Sequence, residues 1–123
     1  MLTIHVEKTG DVAVVKCTGR LVRGAEVKRL RTAVVSENHM RMLMLDLSEV
    51  DALDAGGLTA LLALRQWARE RGVKMQLVNP SHYVQEVLQR TQLDHIFEVS
   101  RFDHALWVLS GAECQHARVG AAA

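Results

Sequence analysis

The stretch MLMLDLSEVDALDAGGLTALLAL, residues 42–64, decides the fold of this chain. Its first part, MLMLDL at 42–47, is apolar on both faces of a strand, which is typical of the middle of a sheet that helices cover. A loop at 48–57 then leads into a predicted helix over about 56–71, which Gly72 ends in the usual C-terminal position. A central strand followed directly by an apolar helix indicates an α/β fold with a largely parallel sheet.

The same alternation of strands and helices extends in both directions from this stretch. The opening pair of strands is predicted to form a hairpin with a turn at 9–11, and Asn79-Pro80 is predicted to cap and start a later helix. The pattern therefore predicts a mixed sheet, mostly parallel with an N-terminal antiparallel hairpin strand, covered by about four helices. The remaining predicted strands are 2–7, 12–17, 73–78 and 96–99, and the remaining predicted helices are about 25–37, about 80–92 and about 103–110.

The composition indicates one soluble domain. The 123 residues, of which 49% are hydrophobic, suffice for a single core, so we expect a domain over 1–111 and a flexible tail over 112–123. Fifteen basic against fourteen acidic residues give a net charge of +1, which argues against a nucleic-acid binder. The N-terminus does not have the pattern of a signal peptide, and the longest apolar stretches are too short to cross a bilayer. We therefore expect a cytoplasmic protein without direct membrane insertion.

The sequence lacks the motifs that usually carry catalysis. Its six histidines and two cysteines do not fall into a zinc-binding pattern. Its serines lack a GxSxG turn, and neither GxGxxG nor a P-loop is present. Cys17 falls in a predicted strand and is interpreted as a small core residue. The sequence therefore predicts no enzyme activity, no cofactor and no metal.

The candidate site is Asp54-Ala55-Gly56-Gly57-Leu58, where the central helix starts. Asp54 can cap the free amides of the first turn, and its charge suits the positive end of the helix dipole. The two glycines allow tight turning and the close approach of another backbone. From the residue chemistry alone, a well-formed helix start without a further role is the alternative interpretation.

An apolar pair on the same helix is a candidate anchor for a partner protein. At 100° per residue, Leu58 and Leu62 fall outside the arc expected to face the sheet and lie beside Arg65 and Arg69. An exposed apolar pair surrounded by charge is typical of a docking site. The alternative is that a neighbouring loop covers both leucines. The arc expected to face the sheet is Ala60, Leu61, Leu64, Trp67 and Ala68.

Three segments of the sequence resemble the STAS domains, a family named for sulfate transporters and anti-sigma factor antagonists. They are DVAVVKCTGRL (11–21), the deciding stretch at 42–64, and GVKMQLVNPSHYVQEVLQRTQLDHIFEV (72–99). The most specific feature is the Asp-x-x-Gly-Leu pattern at Asp54, Gly57 and Leu58. The resemblance covers about residues 2–110 and implies the STAS fold, with partner binding at the start of the central helix.

The resemblance also implies two kinds of partner. Anti-sigma factor antagonists of this family bind an anti-sigma factor, often a serine kinase, which modifies the second serine of Asp-Ser-Ser-Gly-Leu. Here those two positions are Ala55 and Gly56, so the usual phosphorylation site is missing, and the nearest hydroxyls, Ser48 and Thr59, do not match it. The alternative is the STAS subunit of ABC lipid transporters, which binds the transporter ATPase and has Asp-Thr-Gly-Gly-Leu here. Both imply docking at this helix start, and together with the apolar pair they predict a docking surface that consists of Asp54, Ala55, Gly56, Gly57, Leu58, Leu62 and Arg65.

Overall fold

A computed structural model describes residues 2–37 and 39–101 of the chain. Within them lie three helices rather than the four predicted, because the predicted helix over 103–110, like the predicted tail at 112–123, falls outside the described residues. In chain order, the elements are β1 (Leu2–Thr9), β2 (Val12–Leu21), α1 (Ala25–Val35), β3 (Met42–Leu53), α2 (Ala55–Glu70), β4 (Lys74–Val78), α3 (His82–Arg90) and β5 (Glu98–Ser100).

The five strands form one mixed sheet in the order β1-β2-β3-β4-β5. β1 and β2 pair antiparallel through a two-residue turn in which Gly10 has a φ of 60°, a left-handed conformation that glycine adopts readily. All the other neighbouring strands pair in parallel. The predicted sheet with an N-terminal antiparallel strand is therefore confirmed.

The core lies where the helices pack on this sheet. α1 contacts α2, β1 and β2; α2 contacts β3 and β4; and α3 contacts β3. Cys17 is fully buried in the core, as predicted, and burial raises the pKa of its thiol to about 12, which leaves little of the reactive thiolate at neutral pH. The core side chains of β2 and β3 are Ala13, Val15, Cys17, Leu21, Leu43, Leu45, Leu47, Val50 and Leu53.

β3 is longer than predicted, because it continues through most of the segment that we expected to be a loop. Its second half pairs with the end of β2, with Gly19 opposite Val50 and Leu21 opposite Leu53. Two register shifts, typical of β-bulges, interrupt this pairing. Only Asp54 then separates β3 from α2. The predicted loop at 48–57 was therefore wrong in extent, and the helix start is attached directly to a central strand.

The predicted start of α3 was also wrong, because Ser81 is the N-cap and not Asn79. Asn79 has a φ of 47°, whereas an N-cap residue normally takes an extended conformation. The Ser81 hydroxyl accepts a hydrogen bond from the Val84 amide at 3.2 Å and donates one to the Val50 carbonyl oxygen at 2.6 Å. The start of α3 is thereby joined to β3.

None of the helices within residues 2–37 and 39–101 is both long enough and apolar enough to cross a membrane.

Candidate functional site

The start of α2 is fixed by Asp54, which is its N-cap as predicted. Asp54 has an extended backbone, and its Oδ1 accepts a hydrogen bond from the Gly57 amide at 2.9 Å. This bond satisfies one of the amides that the first turn of a helix leaves without a partner. The predicted capping role of Asp54 is therefore confirmed.

The same carboxylate binds a second segment, the connection between β2 and α1. The backbone amide of Arg23 donates to Asp54 Oδ1 at 3.1 Å and to Oδ2 at 3.2 Å. Asp54 thus holds this connection, residues 22–24, against the start of α2. Sequence reasoning missed Arg23, because the bond joins residues 31 positions apart and uses a backbone group that every residue except proline has.

These donors stabilise the charged form of Asp54. The Gly57 amide, more than the Arg23 amide, holds the pKa of this carboxyl below its usual value of 3.8, although partial desolvation opposes the shift. A pKa that is lower in the folded than in the unfolded state adds stability above the unfolded pKa. That stability is lost as the pH falls through the folded pKa.

We therefore expect Asp54→Ala to lower the free energy of unfolding at pH 7 by about 1 kcal/mol, the usual cost of losing an N-cap. The variant should also lose part of the decrease in stability that the wild type shows as the pH falls below about 4. Urea unfolding followed by circular dichroism at a series of pH values measures both effects. Asp51→Ala, which removes an exposed carboxylate three residues earlier, is the matched control. An unchanged pH dependence in Asp54→Ala would contradict this role.

The two glycines after Asp54 bring the neighbouring backbone close to the helix, as predicted. A Cβ on Gly57 would collide with the carbonyl oxygen of Leu21 and would lie 2.7 Å from Leu53 Cδ1. A Cβ on Gly56 would lie 2.6 Å from the Cβ and 2.9 Å from the Cα of Arg23. Real Cβ atoms do not approach other atoms this closely, so neither position has room for a side chain. Arg23 occupies the space in which a side chain at position 56 would begin.

The predicted apolar anchor lies at the margin of the core. Leu58 and Leu62 are half-buried and pack against the core cluster, so part of each side chain stays accessible but neither is freely exposed. Of the arc that we predicted to face the sheet, four residues are buried and Trp67 is half-buried. The buried members are Ala60, Leu61, Leu64 and Ala68.

Arg65 is separated from the helix start. It lies seven residues beyond Leu58, about 10 Å further along the helix at 1.5 Å per residue. Its Nε donates to the Ile96 carbonyl oxygen at 3.2 Å, beside an open cavity of about 250 Å³. The structure thus brings Asp54 through Leu58 together with Arg23, whereas Arg65 faces the segment before β5.

The described residues offer little else for chemistry. They contain no group of three histidine, cysteine, aspartate or glutamate side chains placed to bind a metal ion. Ser48 lies on β3, and Thr59 donates its hydroxyl hydrogen to the Ala55 carbonyl oxygen at 2.8 Å. What the site provides is a hydrogen-bonded helix start with small side chains at 55–57.

Comparison with known proteins places this geometry in a family. The family model for the STAS domain matches residues 3–104. An anti-sigma factor antagonist from Mycobacterium paratuberculosis is 22% identical with a TM-score of 0.71, and the match covers 89% of this chain and 93% of that one. The unphosphorylated anti-sigma factor antagonist SpoIIAA is 18% identical with a TM-score of 0.69, covering 89% and 97%.

A transporter-linked protein has the same fold. A sulfate transporter family protein from Wolinella succinogenes is 21% identical with a TM-score of 0.68, and the match covers 84% of this chain and 88% of that one. At these identities the solved structures show a shared fold, while the family model extends over most of the sequence. This chain therefore belongs to the STAS domain family.

Proposed function

We propose that this chain is a cytoplasmic regulatory module of the anti-sigma factor antagonist type, which binds an anti-sigma factor through the start of α2. The observation that carries the proposal is the construction of this helix start. Asp54 fixes it, residues 55–57 carry no side chain larger than a methyl group, and Arg23 closes it on one side. Anti-sigma factor antagonists with the same fold support this choice of partner.

The physical basis of binding is preorganisation. Because Asp54 already holds both the first turn of α2 and the Arg23 amide, docking would not have to order these segments, and less binding energy would be lost as entropy. The exposed Ala55, whose side chain is a single methyl group, lets a partner approach the backbone closely. The protein would act through contact alone, without a catalytic step or a cofactor.

The structure of position 56 bears on regulation. A kinase partner would find no hydroxyl at Ala55 or Gly56. Ser48 lies on the preceding strand, and Thr59 is about one turn beyond the family position. The module would therefore stay in its binding-competent form, and control would lie in its abundance or in its partner.

A second function is favoured by the glycine pair. Gly56 and Gly57 match the Asp-Thr-Gly-Gly-Leu pattern of the STAS subunits of ABC lipid transporters, and a transporter-linked protein has the same fold. In that role the chain would be an accessory subunit that binds the transporter ATPase. Gene neighbours distinguish the two functions, since an anti-sigma kinase or phosphatase gene supports the first and ABC ATPase and permease genes support the second.

The direct test is affinity purification of the tagged chain from its native cell, in the wild type and in Leu62→Glu. We expect the wild type to retain an anti-sigma factor and Leu62→Glu to lose it, because the variant places a charge where the accessible part of an apolar side chain would meet the partner. Leu62 is half-buried, so we also expect the variant to lose about 1 kcal/mol of stability but to remain folded by circular dichroism.

Gln89→Glu, which puts the same charge on an exposed position of α3, is the control and should retain the partner. A folded Leu62→Glu that still binds would remove Leu62 from the docking surface. Recovery of an ABC ATPase in place of an anti-sigma factor would replace the first function with the second.

A further inference from the structure

We propose that the partner presents an acidic protein surface, because a cationic patch lies beside the start of α2. The cationic patch consists of Arg23, Lys28, Arg29 and Arg31. The inference rests on the proposed function, since it concerns the chemistry of the protein that docks at this helix start.

The fold places Arg23 of the cationic patch next to the docking site, and the helix that carries the other three cations packs against α2. Arg23 contacts Gly56, since a Cβ added at position 56 would lie 2.6 Å from the Cβ of Arg23. α1 begins two residues after Arg23 and packs against α2. Leu30 and Val34 lie on the inner face of α1 and are buried in the core. The three cations of α1 are exposed, so a partner seated on the start of α2 would meet them at its edge.

Several basic side chains outside the patch are paired with carboxylates. In each of these pairs the basic nitrogen lies within 4 Å of a carboxylate oxygen. Examples are Lys16 with Glu49 at 3.9 Å, Arg41 with Asp11 at 3.6 Å, Lys74 with Glu98 at 3.8 Å and Arg90 with Glu86 at 3.8 Å.

Within residues 2–37 and 39–101, by contrast, no carboxylate forms an ion pair with a cation of the patch. Arg23 uses its backbone amide for Asp54, and that carboxylate is already bound by two amides. Four cations and Glu26 give residues 23–35 a net charge of +3, against +1 for the whole chain. A segment of net positive charge thus adjoins the proposed docking site.

An acidic protein fits this patch better than a membrane or a nucleic acid. Helices that lie in a membrane surface carry Trp, Phe or Leu on the face that enters the lipid, whereas the largest apolar side chain exposed on α1 is Val35. Proteins that bind single-stranded nucleic acids stack bases on aromatic side chains, and α1 has none. Complementary charge between two proteins accelerates association and makes it depend on salt.

The test uses the whole chain and a fluorescein-labelled oligoglutamate peptide as the probe. Lys28→Glu with Arg31→Glu reverses two exposed charges of the patch and should weaken peptide binding at low salt by roughly tenfold or more, because attraction becomes repulsion. Arg41→Glu with Arg90→Glu is the control. It changes the net charge equally but lies outside the patch, and it breaks two surface ion pairs of little energetic value.

Binding that survives in the control and is lost in the patch variant supports the proposal, provided that both variants unfold at the wild-type temperature. Equal losses in the two variants, or wild-type binding that is unaffected by high salt, would overturn it. Tighter binding of phosphatidylglycerol vesicles or of single-stranded DNA than of the peptide would also overturn it.

Failure of the patch can be told apart from failure of the proposed function. If the patch variant still captures an anti-sigma factor as well as the wild type does, the acidic-partner inference is wrong and the function stands. If the peptide binds through the patch but the native cell yields no anti-sigma factor, the function is wrong and the patch stands.

Discussion

Gly57→Ala is expected to lower the free energy of unfolding by about 3 kcal/mol, at the upper end of what overpacking a core costs. The added Cβ would collide with the carbonyl oxygen of Leu21 and would lie 2.7 Å from Leu53 Cδ1. Leu21 and Leu53 are buried and end the two central strands, so their atoms cannot move aside without moving the sheet. Urea unfolding followed by circular dichroism measures the loss.

Gly72→Ala is the matched control for this prediction. Gly72 has open space around its Cα but a φ of 70°, so alanine there costs only the strain of a left-handed conformation, about 1 kcal/mol. Gly57 lies inside the helix, and its cost comes from crowding alone. If Gly57→Ala were no more destabilising than Gly72→Ala, the helix start would be able to shift, and the close approach to β2 would not be required.

Gly56→Ser is expected to be a poor route to a phosphorylatable protein, although it introduces the second serine of the Asp-Ser-Ser-Gly-Leu pattern. The serine Cβ would lie 2.6 Å from the Cβ of Arg23, so the variant should lose about 2 kcal/mol of stability through overpacking. Arg23→Gly in the same chain removes the crowding Cβ and Cγ but leaves the Cα at 2.9 Å, so it should recover part of this loss. A double-mutant cycle on unfolding free energies measures the coupling between the two positions.

Intact-mass measurement after incubation with the partner kinase and ATP gives the functional result. We expect no stoichiometric phosphate on residues 48–62 of the wild type, and a phosphate on the serine introduced at position 56 chiefly in the double variant. A phosphate on Ser48 or Thr59 of the wild type that weakens partner binding would contradict the proposal that phosphorylation does not control this protein. A folded double variant that is never modified would favour the transporter subunit instead.

The sequence was informative wherever a local pattern determines the structure. The apolar run at 42–47 and the helical spacing after it predicted the central strand and α2, and the spacing of Asp54 and Gly57 predicted the cap. β3 was predicted too short, because Ser48 and Glu49 have the composition of a loop. β3 continues through them because Glu49 and the residues after it pair with the end of β2, a contact between distant residues that local propensity does not encode.

The contribution of Arg23 could not be predicted for a related reason. Its contact with Asp54 spans 31 residues and uses the backbone amide, so the identity of the side chain gives no signal. The sequence shows a glycine at position 56, but it does not show that Arg23 occupies the space where a side chain would begin. Likewise, Asn79-Pro80 has a favourable local pattern for a helix start, yet Ser81 is the cap because its hydroxyl also reaches the Val50 carbonyl oxygen on β3.

The single carboxylate of Asp54 also has a consequence for dynamics. Because this one carboxylate accepts from both the Arg23 and the Gly57 amides, a movement of the Asp54 side chain away from the helix start exposes both amides together. In hydrogen–deuterium exchange, these two amide protons should therefore report the same opening event, as members of one cooperative unit. A partner that contacts either segment would slow exchange in both, so protection at Arg23 can reveal binding at a helix to which it does not belong.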